Sequence, residues 1–254
     1  MDKDKIKNNF SKSAPTYDQY ADIQKEMIAA LLSNLSFAFQ NILDVGCGTG
    51  FSTIEASKKF PEAKVTGIDI APGMIKQASL GKRGNNNIDF MLGDGEEIPL
   101  EDSQFDLVIS NASMQWMNCE KFFLEIARVL QPKGTFCFST YGPATFCELK
   151  QAGFSVNNFL PKEKLYGLLS SCFDEISINK MIVKKKYQSI FDLFAYLKGI
   201  GARYSFGAKN KGLFTKSKIA SLFPDFGRNI CVTYEIYFGN CHGIKKQLYP
   251  LIGN

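Results

Sequence analysis

Histidine is almost absent from this sequence, which has only one, His242, among its 254 residues. That residue lies near the C-terminus and outside every motif described below. A histidine in such a position is more often a surface or packing residue than a general base. We therefore expect a reaction that can proceed without a histidine base.

Paired cysteines and long apolar runs are also missing. The seven cysteines include no C-x-x-C pair, which makes a zinc site or a disulfide framework improbable in a chain of this size. No apolar run is long enough to span a membrane. The N-terminus, MDKDKIK, is not followed by an apolar segment with a cleavage site. We expect reduced cysteines, no metal, no membrane and a cytoplasmic protein.

The net charge of +5 is mild and says little about partners. Its distribution is more informative, because a run of three lysines is followed by several further cations. Two interpretations stay open, a solvated basic face and a docking face for an acidic partner. Nothing in the sequence provides the motifs of a nucleic-acid binder. The basic residues concerned are Lys184, Lys185, Lys186, Arg203, Lys209, Lys211, Lys216 and Lys218.

The stretch 41–50, NILDVGCGTG, combines a short apolar strand with glycines at positions 46, 48 and 50. Helix-compatible sequence follows at 51–60. Glycines let the backbone turn sharply and approach a ligand closely, and a helix N-terminus offers unpaired N–H groups. The carboxylate of Asp44 is poorly placed beside a pyrophosphate but suits a cationic ligand. A strand–loop–helix corner without a ligand is the alternative.

The dinucleotide fingerprint G-x-G-x-x-G does not fit, because Phe51 takes the place of its third glycine. The pattern D-x-G-x-G-x-G instead resembles the first motif of the class I S-adenosylmethionine-dependent methyltransferases. In that family the loop wraps the amino-acid end of the cofactor. The resemblance implies S-adenosylmethionine as cofactor and S-adenosylhomocysteine as product.

Polar residues recur where the next predicted strands end. Asp69 closes the strand 64–69, Asp94 follows the strand 88–92, and Asn111 follows the strand 105–110. Asp69 can accept hydrogen bonds from ribose hydroxyls or cap the helix that begins near Pro72. Asp94 resembles the family residue that contacts the adenine amino group. The carboxyl ends of parallel strands meet along one rim, where ligands bind in such sheets.

Alternating strands and helices predict an α/β, Rossmann-like fold with seven mostly parallel strands and helices on both faces. Residues 22–35 have the apolar spacing of an amphipathic helix. We predict one domain, with an N-terminal helical lid at 1–40 and a cofactor-binding core at 41–183. The sixth and seventh strands are predicted at 175–183 and 230–238. An inserted helical lid for substrate or partner is predicted at 184–228, and the final strand and tail at 229–254.

Segments outside the cofactor motifs resemble the malonyl-acyl-carrier-protein O-methyltransferases of biotin synthesis. They span most of the chain in the family's order. The resemblance implies methylation of the free carboxyl of a malonyl thioester and an acyl carrier protein, or coenzyme A, as its carrier. The segments are 10–22 (FSKSAPTYDQYAD), 110–116 (SNASMQW), 138–149 (FSTYGPATFCEL), 158–161 (NFLP), 197–202 (LKGIGA) and 233–237 (TYEIY).

The chemistry agrees with a carboxylic acid as acceptor. A carboxyl group is ionised at neutral pH and can attack a sulfonium methyl without a general base. Catalysis is then mainly the positioning of two bound partners. Two alternatives are a methyltransferase for another small carboxylic acid or metabolite, and a non-catalytic cofactor-binding protein. Intact Asp44, Gly46, Gly48 and Asp69 argue against the second. The sequence does not determine the oligomeric state, for which we expect a monomer.

The predicted site divides into two sets. For the substrate we select Tyr17, Gln115, Trp116 and Arg203, and consider Tyr141. Arg203 could clamp a carboxylate, although a strong clamp would favour the ground state. The cofactor set is Asp44, Gly46, Cys47, Gly48, Gly50, Asp69, Ile70, Met74, Asp94, Gly95, Asn111 and Ala112.

Overall fold

The computed structural model describes residues 2–82, 84–151, 154–202, 229–245 and 248. Within these ranges the chain alternates between helices and strands, as predicted. The helices are α1 (Lys3–Ser13), α2 (Asp22–Ser33), α3 (Phe51–Lys59), α4 (Pro72–Gly81), α5 (Cys119–Val129), α6 (Cys147–Gln151), α7 (Lys162–Leu169) and α8 (Ile190–Gly199). The strands are β1 (Asn41–Val45), β2 (Lys64–Asp69), β3 (Ile88–Leu92), β4 (Phe105–Asn111), β5 (Leu130–Tyr141), β6 (Phe173–Tyr187) and β7 (Ile230–Ile244).

The strands form one seven-stranded sheet in the order β3-β2-β1-β4-β5-β7-β6. Strands β1 to β5 pair in parallel, whereas β7 runs antiparallel to both β5 and β6. The predicted α/β fold with a mostly parallel sheet is confirmed. The strand order reverses between β1 and β4, which makes their carboxyl ends the expected ligand-binding position.

Strand β1 is buried on both faces, as an apolar run in a parallel sheet requires. Leu43 and Val45 join the apolar cluster that includes Phe122 and Phe123 of α5. Ile42 points to the opposite face, where residues of α2 and α3 cover it. This double cover fixes β1 at the centre of the sheet and holds the glycine loop at its carboxyl end.

Helix α1 and strands β6 and β7 were not predicted with their observed bounds. Helix α1 lies within the predicted N-terminal helical lid, but it is a polar segment in which only Ile6 and Ser13 are buried, so its apolar spacing was too sparse to predict its bounds. Strand β6 continues beyond the predicted end at Val183 to Tyr187. The lysine run is therefore part of this edge strand and not of an inserted helical lid. Arg203 and the lysines at 209, 211, 216 and 218 lie outside the described residues.

The exposure of the three lysines alternates along β6, as it does in a β-strand. Lys184 and Lys186 are exposed, while Lys185 is half-buried and pairs with Asp22 of α2. Lysines on an edge strand also oppose edge-to-edge pairing with other chains. Strand β7 is likewise longer than predicted, because it pairs with β6 as far as Ile244.

Candidate active site

The glycine loop is anchored to the neighbouring strand before it turns. The backbone N–H groups of Gly46 and Cys47 both donate to the carbonyl oxygen of Ile68, at 2.8 and 3.0 Å. Gly46 and Gly48 have φ angles of +77° and +56°, a left-handed conformation that favours glycine. A Cβ on Gly48 would meet no protein atom within 4 Å, so the loop leaves open space on that side for a ligand.

Asp44 lies beneath this loop and is fully buried. Its Oδ2 accepts hydrogen bonds from the hydroxyls of Ser52 and Thr53 in the first turn of α3. Its Oδ1 has no hydrogen-bond partner among the described residues. Burial raises the pKa of Asp44 to about 6, against the lowering effect of the two hydroxyls. A buried carboxylate oxygen without a partner fits a cationic ligand.

Asp69 faces the loop from the end of β2. Its Oδ2 accepts from the N–H of Gly48 at 3.0 Å, and its Oδ1 accepts from the N–H of Ala71 at 2.8 Å. Ala71, not Asp69, is the N-cap residue of α4, so Asp69 supports the helix start without capping it. Burial raises the pKa of Asp69 to about 6. Each carboxylate oxygen retains a lone pair for a ligand hydroxyl.

Asp94 makes an ion pair that the sequence did not predict. Lys3 of α1 lies 2.6 Å from Asp94 Oδ2 and 2.9 Å from Glu96 Oε2. The N–H of Glu96 also donates to Asp94 Oδ1 at 3.0 Å. The N-terminal helix thus crosses the rim and contacts the acid that follows β3.

The glycine loop, Asp69 and Asp94 line a cavity of about 700 Å³, which we call the first cavity. Eleven predicted site residues line it, which confirms that the strand ends converge. Those eleven are Tyr17, Gly46, Gly48, Asp69, Ile70, Met74, Asp94, Gly95, Asn111, Ala112 and Trp116. The lining residues that the sequence did not single out as site residues are Lys3, Ile6, Phe10, Gly93, Glu96, Ser113 and Met117.

Three predicted cofactor residues do not line the first cavity. Asp44 lies behind the loop, as described above. Cys47 is buried, and its thiol faces the carbonyl oxygen of Gly48, while burial raises its pKa well above the ordinary value. Gly50 is the N-cap of α3 in a left-handed conformation. Cys47 and Gly50 therefore shape the loop and present no side chain to the cavity.

Asn111 and Ala112 lie at the carboxyl end of β4, and Asn111 joins this end to α2 and β5. The Asn111 amide donates to the carbonyl oxygen of Gln24 in α2, and its Oδ1 accepts from Ser139 of β5. Ala112 has a φ of +49°, an uncommon conformation for a residue with a Cβ and one that concentrates at functional sites. Both residues hold the junction after β4 in a fixed shape.

A second cavity of about 480 Å³ adjoins the first. Four residues line both of them, namely Phe10, Tyr17, Ala112 and Trp116. The rings of Phe10 and Trp116 pack edge to face at 5.5 Å. The other residues of the second cavity are mostly aromatic or apolar and include the predicted Gln115 together with Tyr141, Tyr196 and Tyr234. Tyr17 and Trp116 thus stand where a cofactor and an acceptor could meet.

The tyrosines of the second cavity are neutral donors. Burial raises the pKa of Tyr17 and of Tyr141 far above the ordinary value, and nearby acids add to this for Tyr17. Tyr187 and Tyr234 bond to each other at 2.6 Å. Among the hydrogen bonds of the described residues, none involves the hydroxyl of Tyr17 or Tyr141. These two hydroxyls can donate hydrogen bonds to a ligand in the second cavity.

The lone histidine takes no part in this site. His242 Nδ1 lies 3.0 Å from Thr135 Oγ1, and Thr135 precedes the cavity residue Tyr141 by six positions along β5. In the described part of the chain, no cluster of three or more His, Cys, Asp or Glu residues could hold a metal ion. None of the described helices is both long and apolar enough to cross a bilayer.

The missed cavity residues of α1 had a weak signal in the sequence. Ile6, Phe10 and Ser13 follow one another at helical spacing, and this face contacts the cavity and α4. Lysines and asparagines between them obscured the pattern. Tyr17, which was predicted as a site residue, lies seven residues after Phe10 and lines the same two cavities.

Comparison with known proteins identifies the family. The family model described as a methyltransferase domain matches residues 43–138. Malonyl-[acyl-carrier protein] O-methyltransferase of Priestia megaterium is 42% identical, with 100% of this chain and 97% of that protein covered. The protein of the same name from Hahella chejuensis is 35% identical over 89% of this chain and 84% of its own length.

Solved structures agree on the fold. Phosphoethanolamine N-methyltransferase 2 of Haemonchus contortus, in complex with S-adenosyl-L-methionine, superposes with a TM-score of 0.60 at 17% identity. The match covers 92% of this chain and 57% of that one. The sequence identities of 42% and 35% to the two relatives extend over most of this chain and show family membership, not only a shared fold. This chain belongs to the malonyl-[acyl-carrier protein] O-methyltransferase family.

Proposed function

We propose that this enzyme transfers a methyl group from S-adenosylmethionine to the free carboxyl of a malonyl thioester on an acyl carrier protein. The methyl ester then primes pimeloyl synthesis for biotin. Family membership supports the reaction. The observation that carries the proposal is the junction of the two cavities at Tyr17, Ala112 and Trp116. The second cavity, which we take as the acceptor pocket, there adjoins the cavity that the glycine loop lines.

The first cavity fits S-adenosylmethionine. The open side of Gly48 leaves room for the amino-acid end, and the unpaired Oδ1 of Asp44 suits its ammonium group, directly or through water. Asp69 keeps lone pairs for the ribose hydroxyls, and Asp94 lies on the rim for the adenine amino group. When bound, the cofactor supplies a methyl group activated by a positively charged sulfur.

The acceptor pocket needs no general base for this reaction. A malonyl carboxylate is already ionised at neutral pH, so the protein only has to orient it and exclude water. The opposite charges of carboxylate and sulfonium are partly neutralised in the transition state. An apolar, aromatic pocket such as the second cavity favours that neutralisation over a solvated ground state.

Neutral hydrogen-bond donors suit a carboxylate that loses its charge during the reaction better than a cationic side chain would. The hydroxyls of Tyr17 and Tyr141 stay protonated because burial raises their pKa. They can fix the direction of the carboxylate while stabilising its full charge less than an arginine would. Gln115 is held by Ala112 and Thr140, and Trp116 closes the junction. We propose these residues as the acceptor-binding set, with Arg203 as a further candidate.

We also propose that exposed lysines guide the acidic carrier protein to the enzyme. Lys184 and Lys186 of β6 are exposed, whereas Lys185 is engaged with Asp22 and lies over the ring of Tyr196. Rim charges of this kind raise association rates more than they raise affinity. Binding should weaken as salt increases and when Lys184 and Lys186 are reversed together. Binding that ignores both changes would contradict this part of the proposal.

The test of the reaction compares carrier-bound acyl groups. Purified enzyme is incubated with labelled S-adenosylmethionine and either malonyl- or acetyl-carrier protein. The acetyl form has no free carboxyl and serves as the matched control. We expect label on the malonyl form alone, released by mild base as methanol. Label on both forms, or on the carrier protein without an acyl group, would contradict a carboxyl O-methyltransferase.

A further inference from the structure

A third cavity of about 810 Å³ adjoins the acceptor pocket, and it also shares Met117 with the first cavity. It is bounded by the segment after β4, the start of α5, the coil 154–161 and helix α7. Three residues line both this third cavity and the second one, namely Gln115, Tyr141 and Phe159. The acceptor pocket therefore adjoins both the first and the third cavity, and the third cavity extends to the exposed Lys164 of α7.

The partition between the second and third cavities is thin and partly built from a coil. Gln115 is held at its floor, since its amide donates to Ala112 O at 2.6 Å and its Oε1 accepts from Thr140 at 3.2 Å. The rings of Tyr141 and Phe159 lie 5.7 Å apart. Phe159 belongs to the coil before α7, not to the sheet. These three side chains therefore lie between the acceptor pocket and the third cavity.

The lining of the third cavity combines apolar, polar and charged side chains. The apolar ones include Met114, Leu165 and Leu168, and the exposed Glu120 of α5 also lines the cavity. Amides and a hydroxyl, those of Asn118, Asn158 and Thr140, are spread along it. Lys164 is exposed and lines the same cavity from α7. Such a surface suits a flexible chain that carries amide groups along its length and an anion at its outer end.

Resting on the proposed function, we propose that the third cavity receives the phosphopantetheine arm of the substrate. The malonyl group would occupy the second cavity, and its thioester would pass the partition at Gln115 and Tyr141. The two amides of the arm would lie against the polar groups of the cavity, and the phosphodiester would reach Lys164. The carrier protein would then dock beside α7, not against the lysine-bearing strand β6 alone.

A filled cavity tests this route. Asn158→Trp places a large ring at an exposed coil position in the third cavity, and Asn157→Trp changes a neighbour that does not line it. Both variants are assayed with malonyl-carrier protein and with malonyl-N-acetylcysteamine, whose short thioester ends before the outer part of the arm. We expect Asn158→Trp to lower kcat/KM for the carrier substrate about tenfold or more and to spare the short one, because remote binding energy is lost.

Charge reversal and binding give a second measurement. Lys164→Glu should weaken binding of the holo-carrier protein to the enzyme loaded with S-adenosylhomocysteine, whereas Lys162→Glu on the same helix should not. Wild-type enzyme should also bind holo-carrier more tightly than apo-carrier, which lacks the arm, and Asn158→Trp should remove that difference. Equal losses on the long and short substrates, or no loss on either, would overturn the route. Wild-type enzyme that methylates neither malonyl thioester would instead overturn the proposed function.

Discussion

Replacing Asp44 by asparagine removes a buried negative charge and keeps the shape of the side chain. An amide oxygen can still accept from Ser52 and Thr53, which now bond to Oδ2. The amide nitrogen takes the place of Oδ1, which has no partner among the described residues. The substitution therefore separates the charge of Asp44 from its structural contacts with α3.

Stability without ligand should not fall. Burial raises the pKa of Asp44 from 3.8 to about 6, so the folded state binds the proton more strongly than the unfolded chain. At pH 7 both states are ionised, and this shift corresponds to about 3 kcal/mol against folding. Asparagine avoids that cost. We expect the free energy of unfolding to stay equal or to rise by up to about 3 kcal/mol.

Cofactor affinity should move the other way. A hydrogen bond to a charged group is worth about 1.5–3 kcal/mol, and an ammonium that faces an amide N–H loses it. The dissociation constant for S-adenosylmethionine should rise roughly 10- to 150-fold. Titration calorimetry measures this loss, and thermal unfolding of the ligand-free protein measures stability.

The control is another carboxylate with a purely structural position. Asp106 accepts from the N–H groups of Gln40 and Asn41 at the start of β1, at 2.7 and 3.0 Å. Asp106→Asn should lower stability and leave cofactor affinity unchanged, the reverse of Asp44→Asn. A destabilised Asp44→Asn protein with normal affinity would refute the electrostatic role and assign Asp44 to helix anchoring.

Three further predictions concern the same site. Cofactor affinity should fall roughly tenfold for each pH unit below about 6, because Asp44 must be charged to hold the ammonium group. The stability of the ligand-free protein should instead fall as pH rises from 3.8 to about 6, because the pKa values of Asp44 and Asp69 are raised in the folded state; calorimetry that shows a flat pH profile would contradict both. Gly48→Ala should fold but bind the cofactor weakly, since its Cβ points into open ligand space, whereas Gly167→Ala in α7 should stabilise by about 0.5–1 kcal/mol without affecting binding. Tyr141→Phe should lower kcat/KM for the malonyl substrate by about 10- to 100-fold with unchanged cofactor affinity, because this residue lines the second and third cavities but not the first; equal losses in kcat/KM and in cofactor affinity would refute its role.

The central part of the fold could be predicted because local signals there agree with tertiary structure. Strands β2 and β3 have the predicted limits, since each is short and a polar residue marks its carboxyl end: Asp69 closes β2, and Asp94 follows β3 after Gly93. The convergence of Asp69, Asp94 and Asn111 followed from parallel strands sharing one rim. A sequence pattern could therefore place the cofactor side of the site.

The acceptor side could not be derived in the same way. Its cavity combines Phe10 and Tyr17 with Tyr141, Tyr196 and Tyr234, which are far apart in the sequence and meet only through packing. The pairing of Lys3 with Asp94 depends on where α1 crosses the rim. The lysines at 184–186 were assigned to the inserted lid and not to β6, because an edge strand that is exposed to solvent lacks the apolar run of a central strand.

One measurement tests the central claim most directly. Methyl transfer from labelled S-adenosylmethionine is followed with malonyl-, succinyl- and acetyl-carrier protein as acceptors. We expect strong labelling of the malonyl form, weaker labelling of the longer succinyl form and none of the acetyl form. No transfer to the malonyl form by an enzyme that demonstrably binds the cofactor would contradict the account.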